Sequence, residues 1–86
     1  MIYTDGFLDD AARMWSGRAR DRLGRMLAAI EAFPEIGSID VPLSLRAQYG
    51  GSIRKAVVDL FDLVYEFDSE ADCVIVYGLA PFRAAR

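Results

Sequence analysis

The chain contains no histidine and only one cysteine, Cys73, among its 86 residues. Without histidine it lacks the side chain most often used as a general base and the commonest nitrogen ligand of metals. Nucleophilic Ser/His and Cys/His pairs are therefore excluded. A single cysteine excludes an internal disulfide and a cysteine-ligated zinc site. The sequence also lacks the glycine-rich motifs that bind nucleotide phosphates.

Long apolar runs are absent as well. No stretch approaches the roughly 20 residues of a membrane-spanning helix, and the first residues lack the charged head and apolar stretch of a signal peptide. We therefore expect a cytoplasmic protein that does not contact a membrane. The 10 basic and 13 acidic residues give a net charge of −3. This charge excludes binding to nucleic acid through bulk charge, so any such contact requires a local basic patch.

What the chain has is enough apolar sequence, 53%, to form a core. We expect residues 1–86 to form a single domain. Asp5 is a good N-cap and predicts a first helix from about residue 6 to residue 14 or 15. Ser16 is a candidate cap for a second helix, which Pro34 ends because the residue before a proline disfavours the helical region. The apolar stripe of this helix comprises Ala19, Leu23, Met26, Leu27, Ile30 and Phe33.

The rest of the chain predicts a loop and three strands. Residues 34–52 predict a long loop with one short helical turn at 42–46. The strands are expected at 53–58, 60–67 and 73–79, and the last of them is apolar enough to be a central strand buried on both faces. With Ile2 and Tyr3 as a short first strand, the order is β-α-α-β-β-β. This order predicts an α+β domain in which an N-terminal helical hairpin packs on a small antiparallel sheet.

The middle strand alternates in polarity. Asp62, Glu66 and Asp68 fall on one of its faces. Carboxylates grouped in this way serve acid–base chemistry or bind Mg²⁺ at some sites. The pattern is more typical of the polar side of a half-solvated strand, which is the interpretation that we favour.

Three cations near the C-terminal strands are candidates for phosphate chemistry. Arg54 and Lys55 are adjacent in one strand, so their side chains point to opposite faces of the sheet. One of them must face the helix side or the rim, where a charge is costly unless it is paired. It either projects into a cleft and binds phosphate or forms a charged strand end in water. Arg83 follows the central strand, at the end where loops gather.

An arginine stripe marks the second helix. Arg18, Arg22 and Arg25 recur at i, i+4 and i+7 and share one face. They form either a ridge that contacts phosphate or an acidic partner, or a solvated face on which Asp21 pairs with Arg18 or Arg25. The second interpretation is favoured because surface ion pairs are common and contribute little.

Short motifs follow one another in a recognisable order along the chain. They are FPEIGS at 33–38, SIRKAVV at 52–58, FDLVYEFD at 61–68, VIVY at 74–77 and the closing Arg83. In order and spacing, over essentially the whole chain, these motifs resemble the RelE/ParE superfamily of bacterial toxins. The resemblance implies a cognate antitoxin that wraps the toxin with a helix and an extended segment. It also implies that no metal or organic cofactor is needed.

The resemblance leaves the target of the toxin open. Members of the RelE branch cleave mRNA in the ribosomal A site with Arg, Lys and Tyr side chains, and on this basis the catalytic residues are Arg54, Lys55 and Arg83. The sequence departs from that branch at Asp62, where such nucleases have an arginine, and at Pro81-Phe82, where many have a histidine. It also lacks their tyrosine beyond Arg83. The alternatives are a ParE-like inhibitor of DNA gyrase, or a weakly toxic or inert module that mainly binds its antitoxin.

Overall fold

Four strands and three helices make up the α+β fold of the computed structural model, which describes residues 1–14 and 16–81. The strands are β1 (Ile2–Tyr3), β2 (Arg54–Val58), β3 (Phe61–Asp68) and β4 (Cys73–Pro81). The helices are α1 (Asp5–Ala12), α2 (Gly17–Ala32) and α3 (Leu43–Tyr49), with a 3-10 turn at Pro34–Ile36. None of the helices in this part of the chain is both long and apolar enough to cross a membrane.

The sheet has the strand order β1-β4-β3-β2 and is mixed. Strands β2, β3 and β4 are antiparallel neighbours joined by tight turns, as the sequence predicted. The predicted fully antiparallel sheet is wrong at β1, which pairs parallel with β4 through Ile2 and Ile75. A strand of only two residues has no periodicity from which its direction could be predicted. The helices that follow β1 provide the long connection that a parallel pair requires.

Both N-terminal helices cover one face of the sheet. Helix α1 packs chiefly on β4, and α2 packs on β2. Their buried side chains Phe7, Leu23 and Ile30 join Leu63 and Tyr65 of β3 in the main core. The expectation that an N-terminal helix pair lies on the sheet is thus confirmed.

The helix ends follow the sequence closely but not everywhere. The hydroxyl of Ser16 caps α2 by accepting from the Ala19 amide at 3.3 Å, as predicted. Helix α1 is capped by Thr4 instead of Asp5, since the Thr4 Oγ1 accepts from the Phe7 amide at 3.1 Å. Helix α2 ends just before Pro34, as expected. Phe33 lies beyond the helix and is 67% exposed, so its place in the buried stripe was predicted wrongly.

The second face of the sheet is covered by α3, which is longer than the predicted turn. Val41 and Leu45 pack there against Ile53 and Val64 in a second cluster. The expectation of a half-solvated polar face is therefore wrong at Asp62, which is fully buried. Alternation along β3 correctly gave the face of this side chain, but it could not show that a helix from the loop would cover that face.

A β-bulge sits in the middle of β4. Val64 pairs with Gly78 whereas Tyr65 pairs with Val76, so Tyr77 is the extra residue. The bulge turns the Tyr77 ring toward α3 while Val76 remains in the main core. Strand β4 is thus packed on both faces in the middle of the sheet, as its apolar sequence predicted.

Candidate functional site

Arg54 and Lys55 lie on opposite faces of β2. Arg54 pairs across the strands with Tyr65 and lies on the face covered by α1 and α2. Lys55 pairs with Val64 and lies on the face covered by α3. The alternation expected from their adjacency therefore holds, and it places the two cations on different sides of the sheet.

The guanidinium of Arg54 is held by backbone oxygens of the turn after α2. Its Nη1 donates to the carbonyl of Gly37 at 2.9 Å and to that of Glu35 at 3.2 Å. These bonds offset the cost of placing a charge beside the core. An arginine has five N–H donors. The donors on Nε and Nη2 make no hydrogen bond within the described residues.

The hydroxyl of Tyr65 anchors the same turn through two hydrogen bonds. Its ring is fully buried, and its hydroxyl donates to the Pro34 carbonyl at 2.7 Å and accepts from the Gly37 amide at 2.8 Å. Burial raises the pKa of Tyr65, and the Gly37 hydrogen bond and the charge of Arg54 oppose that rise. Tyr65 and Arg54 together bind all but one of the carbonyls from Pro34 to Gly37, so the turn beside the cleft is well anchored.

A cleft of about 460 Å³ opens beside Arg54. A second guanidinium, that of Arg46 on α3, also lines it and is steadied by a 3.2 Å bond from Nη2 to the carbonyl of Ile39. The remaining polar and aromatic lining includes Glu35, Ser52, Phe67 and Ser69. Two guanidiniums facing one carboxylate give the cleft a local positive charge on an acidic protein. Such an arrangement can hold a phosphate group by charge-assisted hydrogen bonds.

Arg46 was missed by the sequence analysis. It stood at the end of a predicted helical turn, and no spacing linked it to Arg54. The signal was weak, a single arginine eight residues before another cation across Gly50-Gly51. Only the packing of α3 on the second face brings Arg46 to the rim of the cleft.

One of the three predicted catalytic residues, Lys55, is not among the residues that line this cleft. Lys55 is half-buried, and its backbone exchanges two hydrogen bonds with Ser38, at 2.8 and 2.9 Å. Its ammonium group makes no hydrogen bond or ion pair within residues 1–14 and 16–81. Arg83 lies outside the described residues. Arg54 and Arg46 therefore line the same cleft, and Lys55 does not line it.

The arginine stripe is a solvent-exposed face of α2, in agreement with the favoured interpretation. Arg22 forms an ion pair with Asp59 of the β2–β3 turn, at 2.9 Å. Asp21, the partner expected within the helix, forms no ion pair with the stripe in the described structure. Because both members of the Arg22–Asp59 pair are partly exposed, the pair contributes less than about 1 kcal/mol.

Two tyrosines meet on the α3 face. Tyr77 donates to Glu66 at 3.1 Å, and its ring lies 5.9 Å from that of Tyr49. Burial raises the pKa of both phenols; the hydrogen bond and charge of Glu66 add to the effect at Tyr77, and the charge of Asp10 adds to it at Tyr49. Both therefore stay protonated at neutral pH and act as hydrogen-bond donors. No group of three or more metal-ligating His, Cys, Asp or Glu side chains gathers in the described ranges.

Comparison of the chain with protein-family models, with curated proteins and with solved structures finds no match. The α+β fold and the site geometry stand on the chain's own sequence and structure.

Proposed function

We propose that this protein is the toxin of a bacterial type II toxin–antitoxin system, acting in the cytoplasm by ribosome-dependent cleavage of mRNA. The motif order that resembles the RelE/ParE superfamily is the origin of the proposal. The α+β class, with helices on a sheet whose last three strands are antiparallel, is compatible with it. The protein needs no histidine for this role, since arginine and lysine can stabilise the charge of a phosphorane.

The observation that carries the proposal is the pairing of Arg54 and Arg46 in one open cleft. Cleavage through the ribose 2′-hydroxyl places an additional negative charge on the phosphorus oxygens in the transition state. Arg54 is held in place by two carbonyls and still has unused donors, so it can meet that charge without reorganising. A proton acceptor and donor are also needed. Lys55 and Arg83 are the residues that the resemblance offers in addition.

A second candidate function is inhibition of DNA gyrase. The separation of Arg54 and Lys55 on opposite faces favours it, because two cations on different sides of a sheet cannot both bind one phosphate. An inhibitor that acts by binding requires no convergent catalytic groups. The same observation is compatible with a weakly toxic or inert module whose main partner is the antitoxin.

All of these candidate functions include a protein partner, the antitoxin. An exposed apolar strip runs from the end of α2 to the start of α3 and consists of Phe33, Ile36, Ile39 and Leu43. Leu43 is the most exposed of the four, at 81%. Several large apolar side chains exposed close together in the chain are typical of a protein–protein interface. We propose that the cognate antitoxin covers it.

The decisive experiment is mRNA cleavage in a reconstituted translation reaction, with and without ribosomes. The full chain is purified in complex with the proposed antitoxin, separated in denaturant and refolded. New 5′ ends are mapped by primer extension. We expect cuts only when ribosomes are present, because a small domain without a strong base depends on the ribosome to position its substrate.

Variants test whether cleavage depends on the cleft and not on the rest of the surface. Arg46→Ala and Arg54→Lys are each expected to slow cleavage by about 100-fold, the usual cost of losing one donor to a developing oxyanion. Arg18→Ala, an exposed arginine away from the cleft, should leave the rate unchanged. Intact mRNA and unimpaired translation would refute the nuclease proposal. Loss of gyrase supercoiling in a parallel assay would then establish the second candidate, and activity in neither assay would leave the inert module.

A further inference from the structure

A second cavity adjoins the cleft of Arg46 and Arg54. Its volume is about 420 Å³. The residues that line it are mostly apolar and comprise Ala32, Phe33, Pro34, Glu35, Ile36 and Phe67. Glu35 and Phe67 also line the cleft that contains the two guanidiniums, so the two cavities meet at these side chains. The combined site therefore has a cationic half and an apolar half, which suits a ligand with an anionic end and a flat apolar body.

The ring of Phe67 is an aromatic surface shared by the two halves. Phe67 lies two residues after Tyr65 on β3, so both side chains point to the face covered by α1 and α2. The ring is half-buried, because it packs against the main core and also lines both cavities. Contact with the core holds the ring in position. A nucleobase can stack on an aromatic ring that is presented in this way.

Glu35 places a carboxylate beside the same two cavities. Its own carbonyl accepts from Arg54 at 3.2 Å, and the preceding carbonyl, that of Pro34, accepts from Tyr65 at 2.7 Å. The backbone that carries the carboxylate is therefore anchored. The carboxylate itself is exposed and forms no hydrogen bond or ion pair within residues 1–14 and 16–81. It repels a second anion, so the negative end of a ligand is directed to the arginines.

Guanine is the base whose edge matches a carboxylate. The two oxygens of a carboxylate accept from two neighbouring N–H donors. The Watson–Crick edge of guanine has two such donors side by side, on N1 and on the exocyclic amino group. In adenine and cytosine an acceptor nitrogen stands beside the amino group, and in uracil a single N–H stands between two carbonyl oxygens. Those acceptors would face the carboxylate and repel it, so the site favours guanine over the other three bases.

We propose that the combined cavities bind a guanosine nucleotide of the RNA substrate. The phosphate lies at Arg46 and Arg54. The base stacks on Phe67, and its two donors meet the carboxylate of Glu35. This inference rests on the proposed function, because the same two arginines would hold the phosphate, and it adds a base preference to that function.

The test titrates nucleoside 3′-monophosphates into the full chain without an antitoxin, because Phe33 and Ile36 also belong to the strip that we assign to the antitoxin. Amide chemical shifts map the site and give the affinity. We expect guanosine 3′-monophosphate to bind about 10-fold more tightly than the adenosine, cytidine and uridine compounds, as one bidentate base contact allows. Equal affinity for the four nucleotides, or for inorganic phosphate, overturns the inference. Tighter binding of a capped peptide of glutamates also overturns it.

Protein variants test the two base contacts separately. Glu35→Gln exchanges an acceptor for a donor on an exposed side chain, so it should remove the preference for guanosine over adenosine without changing the melting temperature. Asp21→Asn is the matched control, because this exposed carboxylate of α2 lines neither cavity, and it should leave the preference intact. Phe67→Leu should weaken the binding of all four nucleotides about 10-fold, whereas Phe67→Tyr keeps the ring and should bind normally. A guanosine preference that survives Glu35→Gln overturns the assigned contact.

The cleavage assay on ribosomes distinguishes this inference from the proposed function. We expect the cuts to fall on the 3′ side of guanosines. Cuts without a base preference, together with equal nucleotide affinities, would refute the guanosine site and leave the nuclease proposal standing. Guanosine-selective binding without any cleavage would refute the nuclease proposal and leave the nucleotide site standing.

Discussion

The hydroxyl of Tyr65 accepts a hydrogen bond from the backbone amide of Gly37, 28 residues earlier in the chain, at 2.8 Å. The approach is so close that a Cβ atom at position 37 would lie 2.7 Å from Cε1 of the tyrosine ring. Gly37 has an ordinary extended conformation, so its glycine is required by space and not by backbone freedom. Tyr65 thereby fixes the turn on which Arg54 is also anchored.

Removing the hydroxyl should therefore destabilise the whole domain. Tyr65→Phe leaves the Gly37 amide and the Pro34 carbonyl without their partner, and we expect a loss of about 2 kcal/mol. In a domain of this size the melting temperature would fall by about 10 °C. Tyr3→Phe is the matched control, because its ring is half-exposed and it should change stability by less than about 0.5 kcal/mol. Equal melting temperatures for the two variants would contradict the assigned hydrogen bonds.

Asp10 of α1 holds β4 next to its bulge. Its Oδ2 accepts from the Leu79 amide at 3.0 Å. Asp10→Ala should cost about 2 kcal/mol in the free energy of unfolding, since it leaves this amide without its acceptor. Asp10→Asn retains an oxygen acceptor and should cost less. Urea denaturation of both variants measures the difference, and an alanine variant as stable as the asparagine one would refute the role.

Three phenols, one buried and two half-buried, predict a loss of stability in alkali. Burial raises the pKa values of Tyr49, Tyr65 and Tyr77 above the ordinary value of 10.0. As the pH rises through about 10, the unfolded chain loses these protons before the folded chain does. Stability should therefore be complete below pH 10 and should decline above it. Urea unfolding between pH 8 and pH 11 tests this, and the slope should be shallower in Tyr77→Phe.

The capping hydroxyls predict two different losses. Ser16→Ala removes only the acceptor for the Ala19 amide and should cost about 1 kcal/mol. Thr4→Val removes the acceptor for Phe7 and also the donor to the Tyr77 carbonyl at 3.0 Å. The second variant should therefore be the less stable of the two by thermal denaturation. The opposite order would mean that the link between α1 and β4 contributes nothing.

Much of the fold could be predicted from local patterns in the sequence. The three long strands and α2 follow from alternation, from helical spacing and from the stop at Pro34. The direction of β1 could not be predicted, because a strand of two residues has no periodicity. The burial of Asp62 was also missed. It depends on α3, whose sequence, LSLRAQY, is short and mixes polar with apolar residues.

The site was predicted in part. The sequence left open which of Arg54 and Lys55 faces the helix side, and the hydrogen bonds to the turn carbonyls show that it is Arg54. Arg46 was missed, since its position depends on tertiary packing that no local spacing encodes. Arg54 and Lys55 lie on opposite faces of the sheet, as the two-residue period of a strand predicted.

The hydrogen bonds from Thr4 to Tyr77 and from Leu79 to Asp10 have a consequence for the order of synthesis. They join residues 73 and 69 positions apart, so α1 can dock only after nearly all of β4 has left the ribosome. Until then α1 is an eight-residue helix with nothing to pack on, and such a helix is unstable alone. The first helix to be translated is thus among the last to dock on the sheet. During translation the nascent N-terminal segment is accordingly the part most open to chaperones and proteases.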